Sequence, residues 1–304
     1  MQMLLTQTLA QIEKTLIGKP QQVRLALACL LAKGHLLIED LPGMGKTTLS
    51  HVLAASLGLS YQRVQFTSDL LPADVIGVSI FDTNEQSFSL HKGPIFNQVV
   101  LADEINRASP KTQSALLEAM EGNSVSIDGK TYQLPNPFFV IATQNPIFHV
   151  GTYPLPESQL DRFMMRISLG FPNKEAEKKI LVASQQSIDF TAIKENITIE
   201  QLEKMQLFVA DIHVSEAILD YVIALLQHSR TGELAVNPLS PRAGKSLIAA
   251  AKAWAFMDNR DHVLPDDIKA VFSSVCEHRM VTKQLSEHES FSNKLLAMVN
   301  SVAS

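Results

Sequence analysis

Residues 40–48 contain two glycines, a lysine and two threonines in an order that suits phosphate binding. The segment lies between the apolar run 35–39 and the helix-like stretch 49–57. A turn between a strand and a helix directs its backbone N–H groups and the positive end of the helix dipole at one place. Lys46 and the hydroxyl of Thr47 would reach the terminal phosphates and a bound Mg²⁺. The segment therefore predicts a phosphate-binding loop.

The loop departs from the usual pattern G-x-x-x-x-G-K-[ST] at one position. Asp40 stands where the first glycine is expected, whereas Gly43 and Gly45 are present on either side of Met44. These two glycines occupy the places where a side chain would most obstruct a phosphate. A glycine-containing turn with a surface lysine is the alternative interpretation, and the flanking strand and helix favour the phosphate site.

Two carboxylates follow an apolar run further along the chain. Residues 98–102 are followed directly by Asp103 and Glu104. Ligands of open α/β sheets bind at the carboxyl ends of the strands, so we expect both side chains beside the phosphate loop. Asp103 and Thr47 are suitable oxygen ligands for a hard cation, and Glu104 can orient and polarise an attacking water. Two solvated acids at a strand end are the alternative interpretation.

Further polar side chains are candidates for the same site. Asn145 follows the apolar strand 138–143, and its amide could hold the attacking water or contact the γ-phosphate. Arg162 and Arg242 carry planar guanidinium groups, which suit the charge that spreads over the γ-phosphate in a transition state. Structural ion pairs are the alternative for these two arginines, and an ordinary Asn-Pro turn is the alternative for Asn145. Arg107 is a weaker candidate that suits a structural role or a subunit contact.

Composition narrows the class of protein. The chain has 304 residues, 46% of them hydrophobic, and a net charge of −5, which suits a globular protein of one or two domains. It has no dense block of Lys and Arg, so the sequence does not predict a broad nucleic-acid or membrane-binding surface. Cys29 and Cys276 lack metal-ligand spacing and are expected to be buried thiols. Residues 1–19 do not resemble a signal peptide and the run 23–31 is too short to span a bilayer, so we expect a soluble, cytoplasmic protein without a membrane span.

The hydrophobic pattern predicts an α/β domain over residues 1–172 and an all-α domain over residues 173–304. In the first part, short apolar runs alternate with helices and loops, and two segments alternate as β-hairpins do. The predicted strands are 36–38, 64–66, 99–102, 138–142 and 164–169, and the predicted hairpins are 75–90 and 124–134. After about Pro172 only helical periodicity remains, with capping residues at the helix starts. The predicted helices are 174–185, 198–210, 215–229, 241–257 and 265–278.

Taken together, these motifs resemble those of the AAA+ ATPases and, within that class, the MoxR family. The resemblance covers essentially the whole chain. The matching segments are Ile17-Gly18, 43–47, 69–77, 93–96, 103–108, 142–146, 160–163 and 240–243. The resemblance implies a five-stranded parallel P-loop sheet flanked by helices, with β-hairpin inserts and a C-terminal all-α lid domain.

The resemblance also implies a role for each candidate residue. Those roles are Ile17 and Gly18 beside adenine; Pro42, Gly43, Met44, Gly45, Lys46, Thr47 and Thr48 around the phosphates; Asp103 and Glu104 as Walker B; Thr47 and Asp103 as Mg²⁺ ligands; Asn145 as sensor 1; Arg162 as a trans arginine finger; and Arg242 as sensor 2. In such proteins ATP and ADP bind at the subunit boundaries of a ring, commonly a hexamer, and an aspartate at the first loop position is tolerated. The family is associated with chaperone-like remodelling or maturation of partner proteins, often ones with von Willebrand factor A (VWA) domains.

Other functions remain open on the sequence alone. A nucleotide-gated assembly scaffold would use ATP binding without turnover, but it would need neither the water activator Glu104 nor the finger Arg162. The ATPase motor of a metal-chelatase-like complex has the same hairpin inserts, whereas the lack of a basic stripe weakens a DNA-linked motor. A small-molecule phosphotransferase fits poorly, because the helices after the core and the paired arginines suggest ring assembly.

Overall fold

A computed structural model describes residues 1–84, 86–145, 151–182, 189–234, 236–280 and 290–299. The strands in these ranges are β1 (Leu36–Glu39), β2 (Tyr61–Gln65), β3 (Gly77–Asp82), β4 (Ser87–Lys92), β5 (Val99–Asp103), β6 (Ser124–Ile127), β7 (Lys130–Gln133), β8 (Phe139–Gln144) and β9 (Met165–Ile167). The helices are α1 (Gln2–Thr15), α2 (Pro20–Leu31), α3 (Lys46–Ser56), α4 (Pro72–Ile76), α5 (Pro110–Gly122), α6 (Glu157–Leu160), α7 (Lys174–Val182), α8 (Ile199–Asp211), α9 (Glu216–His228), α10 (Pro241–Met257), α11 (Pro265–Met280) and α12 (Phe291–Met298). Three short 3₁₀ turns cover Pro94–Phe96, Ile105–Arg107 and Phe190–Ala192.

The main sheet has the strand order β2-β5-β8-β1-β9, and every neighbouring pair is parallel. The predicted five-stranded parallel sheet is therefore confirmed. Leu36 and Ile38 of β1 pack into one hydrophobic cluster and Leu37 packs into another on the opposite face. Strands buried on both faces are apolar along their whole length, which is why these runs were recognisable in the sequence. The residues that follow β1, β5 and β8 emerge together at one edge of the sheet.

Both predicted hairpins are present. Strand β3 pairs with β4, and β6 pairs with β7, each in the antiparallel sense. In the second hairpin Asp128 and Gly129 have φ of 48° and 76°, as a tight two-residue turn requires. The first hairpin starts two residues later than predicted, because the buried Val75 and its neighbour Ile76 belong to α4. Glu85, in the predicted turn of that hairpin, lies outside the described residues.

The described residues after position 172 form the helices α7–α12. Helices α8–α11 agree with the prediction to within two residues at each end, whereas residues 183–185 of the predicted first helix lie outside the described part. Ser215 and Ser240 cap α9 and α10 by accepting a hydrogen bond from the backbone N–H three residues later. Among the described helices, not one combines the length and the hydrophobicity that a membrane span needs.

The C-terminal helices and the sheet share one hydrophobic cluster. Buried side chains of α2, α3 and one face of the sheet pack in the same cluster as those of α8, α10 and α11. Gln206 on α8 adds a buried hydrogen bond of 2.9 Å from its Nε2 to the carbonyl of Leu30 on α2. Cys29 and Cys276 are free thiols in this cluster, and burial raises the pKa of both. A boundary at residues 172/173 would cut through this shared core, and it remains a prediction.

His35, directly before β1, is a buried side chain that joins three core elements. Its Nδ1 accepts a hydrogen bond of 3.0 Å from the N–H of Val140 in β8, and its Nε2 lies 3.2 Å from the carbonyl of Met120 in α5. These partners fix a neutral imidazole with its proton on Nε2. Burial lowers the pKa of His35 to about 4.

We expect His35 to make the fold sensitive to acid. Because its folded pKa of about 4 lies below that of the unfolded chain, the unfolded state binds more protons in this range. Its contribution therefore lowers the free energy of unfolding by roughly 2 kcal/mol between pH 7 and pH 5. Urea unfolding at both pH values should show a smaller difference in His35→Gln than in the wild type. Replacing the exposed His91 with glutamine is the control, and an equal pH difference in all three proteins would contradict the expectation.

Candidate nucleotide site

A cavity of about 660 Å³ lies at the edge of the sheet where the phosphate loop, β2, β5 and β8 meet. The residues that line it are Pro42, Gly43, Gly45, Lys46, Thr47, Thr48, Arg63, Gln65, Thr67, Asp103, Glu104, Arg107 and Asn145. All the residues predicted around the phosphates are in this set except Met44, which packs against the hydrophobic cluster below the loop. The structure thus brings together the predicted loop, the two carboxylates and the asparagine.

The phosphate loop has the backbone geometry that its glycines allow. Gly43 and Gly45 have φ of 82° and 92°, in the left-handed region that favours glycine. Lys46 begins α3, and its Nζ donates a hydrogen bond of 2.7 Å to the carbonyl of Asp40. Burial lowers the pKa of Lys46, while Asp103 acts in the opposite direction. The ammonium is partly removed from water, which strengthens its attraction for a phosphate group.

Asp40, the residue in place of the first glycine, holds the loop through side-chain hydrogen bonds outside the cavity. Its Oδ2 accepts hydrogen bonds from the N–H of Leu169 at 2.6 Å, the N–H of Gly170 at 2.7 Å and the hydroxyl of Ser168 at 3.2 Å. Lys19 donates to the carbonyl of Gly170 at 2.8 Å, so a cation also holds this segment. The aspartate is buried and does not line the cavity. Its role in the structure is to tie the phosphate loop to the chain that follows β9.

Asp103 and Glu104 are fixed by one threonine of β8. The Oδ1 of Asp103 accepts a hydrogen bond of 2.5 Å from the hydroxyl of Thr143. The N–H of Glu104 donates to the same hydroxyl oxygen at 2.9 Å. Glu104 has φ 57° and ψ 48°, a left-handed conformation that is uncommon outside glycine and concentrates at functional sites. This turn of the backbone lets both carboxylates face the cavity.

Arg63 and Gln65 of β2 bind these carboxylates, and the sequence analysis missed both. Arg63 donates to Asp103 Oδ2 through Nε at 3.0 Å and Nη2 at 2.6 Å. Gln65 Nε2 donates to Glu104 Oε2 at 2.9 Å, and Arg107 Nε lies 3.0 Å from the same oxygen. Arg107, a weak candidate in the sequence, is therefore a cavity residue paired with Glu104. Each carboxylate has an arginine partner within the chain.

Asn145 has a buried side-chain oxygen without a protein partner. Its Oδ1 makes no hydrogen bond with any described residue. An unpaired buried acceptor destabilises a protein by about 1–3 kcal/mol, so a donor in the cavity would satisfy a real need. Thr47 and Asp103 add oxygen ligands of the kind that Mg²⁺ prefers. In the described ranges no group of three or more His, Cys, Asp or Glu could hold a metal ion, so a cation here would also need oxygens of the nucleotide or water.

Ile17 and Gly18 are not among the residues that line the cavity. Gly18 has φ 81°, and a Cβ at this position would lie only 2.5 Å from the Cβ of Ala176 in α7. The glycine is needed there because the chain passes so close to α7. The two residues lie at the junction of the N-terminal helices and α7, and their contact with adenine remains a prediction.

Arg162 and Arg242 lie close to each other and outside the cavity with the phosphate loop. Both bind Glu121 of α5, Arg162 through Nη2 at 3.2 Å and Arg242 through Nη2 at 2.7 Å. Arg162 also donates to the carbonyl of Leu117, and Arg242 Nη1 lies 3.7 Å from Asp161 Oδ2. They line a second, smaller cavity of about 330 Å³ and remain partly exposed to solvent. The structure thus pairs the predicted finger with the predicted sensor 2 and separates both from this chain's own loop.

Comparisons with known proteins agree with this fold. The model for the ATPase family associated with various cellular activities (AAA) matches residues 35–165, and the AAA lid domain model matches residues 227–296. Chaperone MoxR1 of Mycobacterium tuberculosis is 39% identical over 286 residues, which are 91% of this chain and 75% of that protein. Protein YeaC of Bacillus subtilis is 45% identical over 278 residues, 91% of this chain and 87% of that protein.

A crystal structure from Cytophaga hutchinsonii, of a protein with an inferred ATPase activity, is similar over 98% of this chain and 95% of that one, with a TM-score of 0.89 and 35% identity. Protein MoxR of Methylorubrum extorquens is 30% identical over 301 residues, which are 91% of this chain and 87% of that protein. The lid model also confirms the predicted C-terminal lid. From these matches and from the phosphate loop at the sheet edge, the chain belongs to the MoxR family of AAA+ ATPases.

Proposed function

We propose that the protein hydrolyses ATP at the boundary between neighbouring copies of the chain, in a cytoplasmic ring of six, and uses that energy to remodel a partner protein. The observation that carries the proposal is the position of Arg162 and Arg242. Both guanidinium groups lie at the surface and away from the phosphate loop of their own chain. A transition-state arginine that cannot serve its own site can serve a neighbour's.

The cavity residues have separate tasks in this proposal. Lys46 and the N–H groups of the loop bind the phosphates. Thr47 and Asp103 hold Mg²⁺, which when bound neutralises the charge of the phosphate oxygens. Glu104 orients the attacking water and accepts its proton. The unpaired Oδ1 of Asn145 accepts a second hydrogen bond from that water and so fixes its direction.

Glu121 holds the arginine pair ready for the neighbouring site. A hydrogen bond from Arg242, together with the charges of Arg162 and Arg242, lowers the pKa of Glu121. The carboxylate therefore stays ionised and keeps two like charges close together, which they would otherwise resist. The neighbour's γ-phosphate would offer both guanidinium groups a more strongly charged partner.

We expect Arg63 to compete with Mg²⁺ for Asp103, because it binds the oxygen that a cation would use. A hydrogen bond to a charged group contributes about 1.5–3 kcal/mol when buried, and the guanidinium is half exposed, so a smaller effect applies here. Arg63→Gln should lower the Mg²⁺ concentration that gives half-maximal binding of fluorescent ATP by roughly three- to tenfold.

The matched control is Arg166→Gln, which removes an ion pair of 2.7 Å with Glu39 outside the cavity. It should leave the Mg²⁺ titration unchanged. A higher Mg²⁺ requirement in Arg63→Gln would mean that the arginine supports the metal site and does not compete with it.

The β3–β4 hairpin is the surface that we assign to the partner protein. Phe81 and Phe88 form an edge-to-face pair with ring centroids 5.2 Å apart, and their exposed fractions are 49% and 69%. Ile80 precedes Phe81 along β3 and pairs with Ser89, so it lies on the opposite face of the hairpin, where it is 50% exposed. Clustered apolar side chains on a projecting hairpin are typical of a protein-binding surface. A relative named as a chaperone supports a protein client, and a VWA-domain protein is the client that the family resemblance suggests.

The client proposal can be tested with the ATP-bound protein. Glu104→Gln should hold ATP, and in its presence a purified VWA-domain protein from the same organism should co-elute with it. Adding Phe81→Ser and Phe88→Ser should remove the complex without changing ATP binding. Co-elution that requires neither the nucleotide nor the two hairpin phenylalanines would contradict a remodelling role. Full partner function without turnover would favour the assembly scaffold.

A further inference from the structure

An apolar groove of about 590 Å³ lies between α8, α9, α10 and the end of α2. We define it by Leu207, Leu219, Ile223, Leu226 and Ile248. Leu207 and Ile223 are exposed by 61% and 48% although they are large apolar side chains. Among the residues that the structure describes, three lysines and no carboxylate line the groove. The chain therefore presents a concave apolar surface with a positive rim.

The groove is continuous with the arginine pair. Lys33 lines both the groove and the smaller cavity that contains Arg162 and Arg242. Helix α10 carries Arg242 in its first turn and contributes Gly244 and Lys245 to the groove. A protein that contacts the arginine pair would therefore also lie next to the groove.

A second set of exposed apolar side chains lies on α7 and directly before it. The α7 patch consists of Phe171, Ile180, Leu181 and Val182, with exposed fractions of 72%, 47%, 79% and 85%. Glu177 is also exposed and lies one helical turn before Leu181, on the same face of α7. The patch is apolar and exposed, and the residues before it on α7 carry both signs of charge, Glu177 with Lys178 and Lys179.

The α7 patch is tied to the phosphate loop. Residues 168–170 bind Asp40 directly, and they lead into Phe171 and α7. Ala176 of α7 packs against Gly18. The groove is therefore connected to the arginine pair, and the α7 patch is connected to the phosphate loop. In the proposed function these are the two parts of the catalytic site that different copies supply.

We propose that the α7 patch of one copy docks in the groove of the next. This inference rests on the proposed function, because the same approach brings the arginine pair of one copy to the phosphate loop of its neighbour. A head-to-tail contact needs two different complementary surfaces on each copy, and it closes into a ring when its rotation permits. Glu177 would meet the lysine rim, while Lys178, one turn before Val182, is paired with Glu175 at 3.6 Å.

Crosslinking between two single-cysteine additions tests the contact. Ile223→Cys places a thiol in the groove and Leu181→Cys places one on the patch, while Cys29 and Cys276 are buried and should not react. With ATP and a short bismaleimide, a mixture of the two variants should give a covalent dimer. Either variant alone should not. The double variant should give a ladder of higher species that ends at the ring size.

Met3→Cys replaces Ile223→Cys in the control mixture, because Met3 is 71% exposed on α1 and belongs to neither surface. Light scattering with ATP, and ATP turnover per subunit, are measured on the same samples. Assembly with turnover but no Ile223-to-Leu181 crosslink would overturn the docking and leave the proposed function intact. Absence of both assembly and turnover would instead remove the proposed function.

A charge in the groove gives an independent measurement. Ile223→Asp would be buried against an apolar patch, so the protein concentration for half-maximal turnover per subunit should rise by at least about tenfold. Met3→Asp should leave it unchanged. An unaltered concentration dependence in Ile223→Asp would overturn the docking, provided that circular dichroism shows the variant to be folded.

Discussion

Replacing Glu104 with glutamine is expected to lower the rate of ATP hydrolysis by roughly 10²–10⁴-fold while ATP binding stays within a few-fold of the wild type. The amide has the same shape, so it can still accept from Gln65 and Arg107, which now hold Oε2. It cannot accept a proton from the attacking water. The loss should therefore appear in kcat, because the loop that we propose to bind the phosphates is unchanged.

Glu39→Gln is the matched control for this variant. Glu39 also ends a strand at the same edge of the sheet, but it pairs with Arg166 and lies outside the cavity. Phosphate release should be measured for both variants, with fluorescent ATP titrations alongside. Equal losses in the two variants would mean that the effect arises from the stability of the sheet edge and not from the chemistry.

Replacing Arg162 with alanine is expected to lower turnover by about 10³-fold or more, since a transition-state arginine finger contributes roughly 10³–10⁵ in kcat. Under the proposal that the arginine acts on a neighbouring site, the loss should be repaired by mixing. Lys46→Ala removes the lysine of the phosphate loop and leaves the arginine pair intact. A mixture of Arg162→Ala and Lys46→Ala should therefore hydrolyse ATP faster than either variant alone.

Arg166→Ala is the control in the mixing experiment, because it deletes an arginine of the same length whose ion pair is structural. Turnover of Arg166→Ala should fall only slightly, and adding Lys46→Ala should not raise it. Turnover of the Arg162→Ala variant that stays near wild type, or a mixture no more active than its parts, would contradict an arginine supplied in trans. Wild-type turnover per subunit should also fall on dilution through dissociation.

The sequence predicted the central strands well because each is buried on both faces and therefore apolar throughout. It predicted β2 less well: the strand begins at Tyr61, three residues before the apolar run that marked it. As an edge strand, β2 carries polar side chains, and Arg63 and Gln65 looked like ordinary surface residues. Their spacing of two was the available signal, since it puts both on one face of the strand.

The phosphate loop and the acidic pair could be predicted because local spacing is enough to form each of them. The arginine cluster could not, because its members come from three separate elements. Glu121 gives no sign within α5 that it will bind both Arg162 and Arg242. Asp40 is a similar case: its partners lie about 130 residues later in the chain, so the sequence showed only a missing glycine.

The hydrogen bonds of Asp40 connect the phosphate loop to residues 168–170, so we expect the two segments to move together. A glycine at this position would have no side chain to accept these three hydrogen bonds. With the aspartate, a loop that shifts when a nucleotide enters or leaves must carry the base of α7 with it. A displacement of the phosphate loop would therefore reach the molecular surface, because the end of α7 is exposed there.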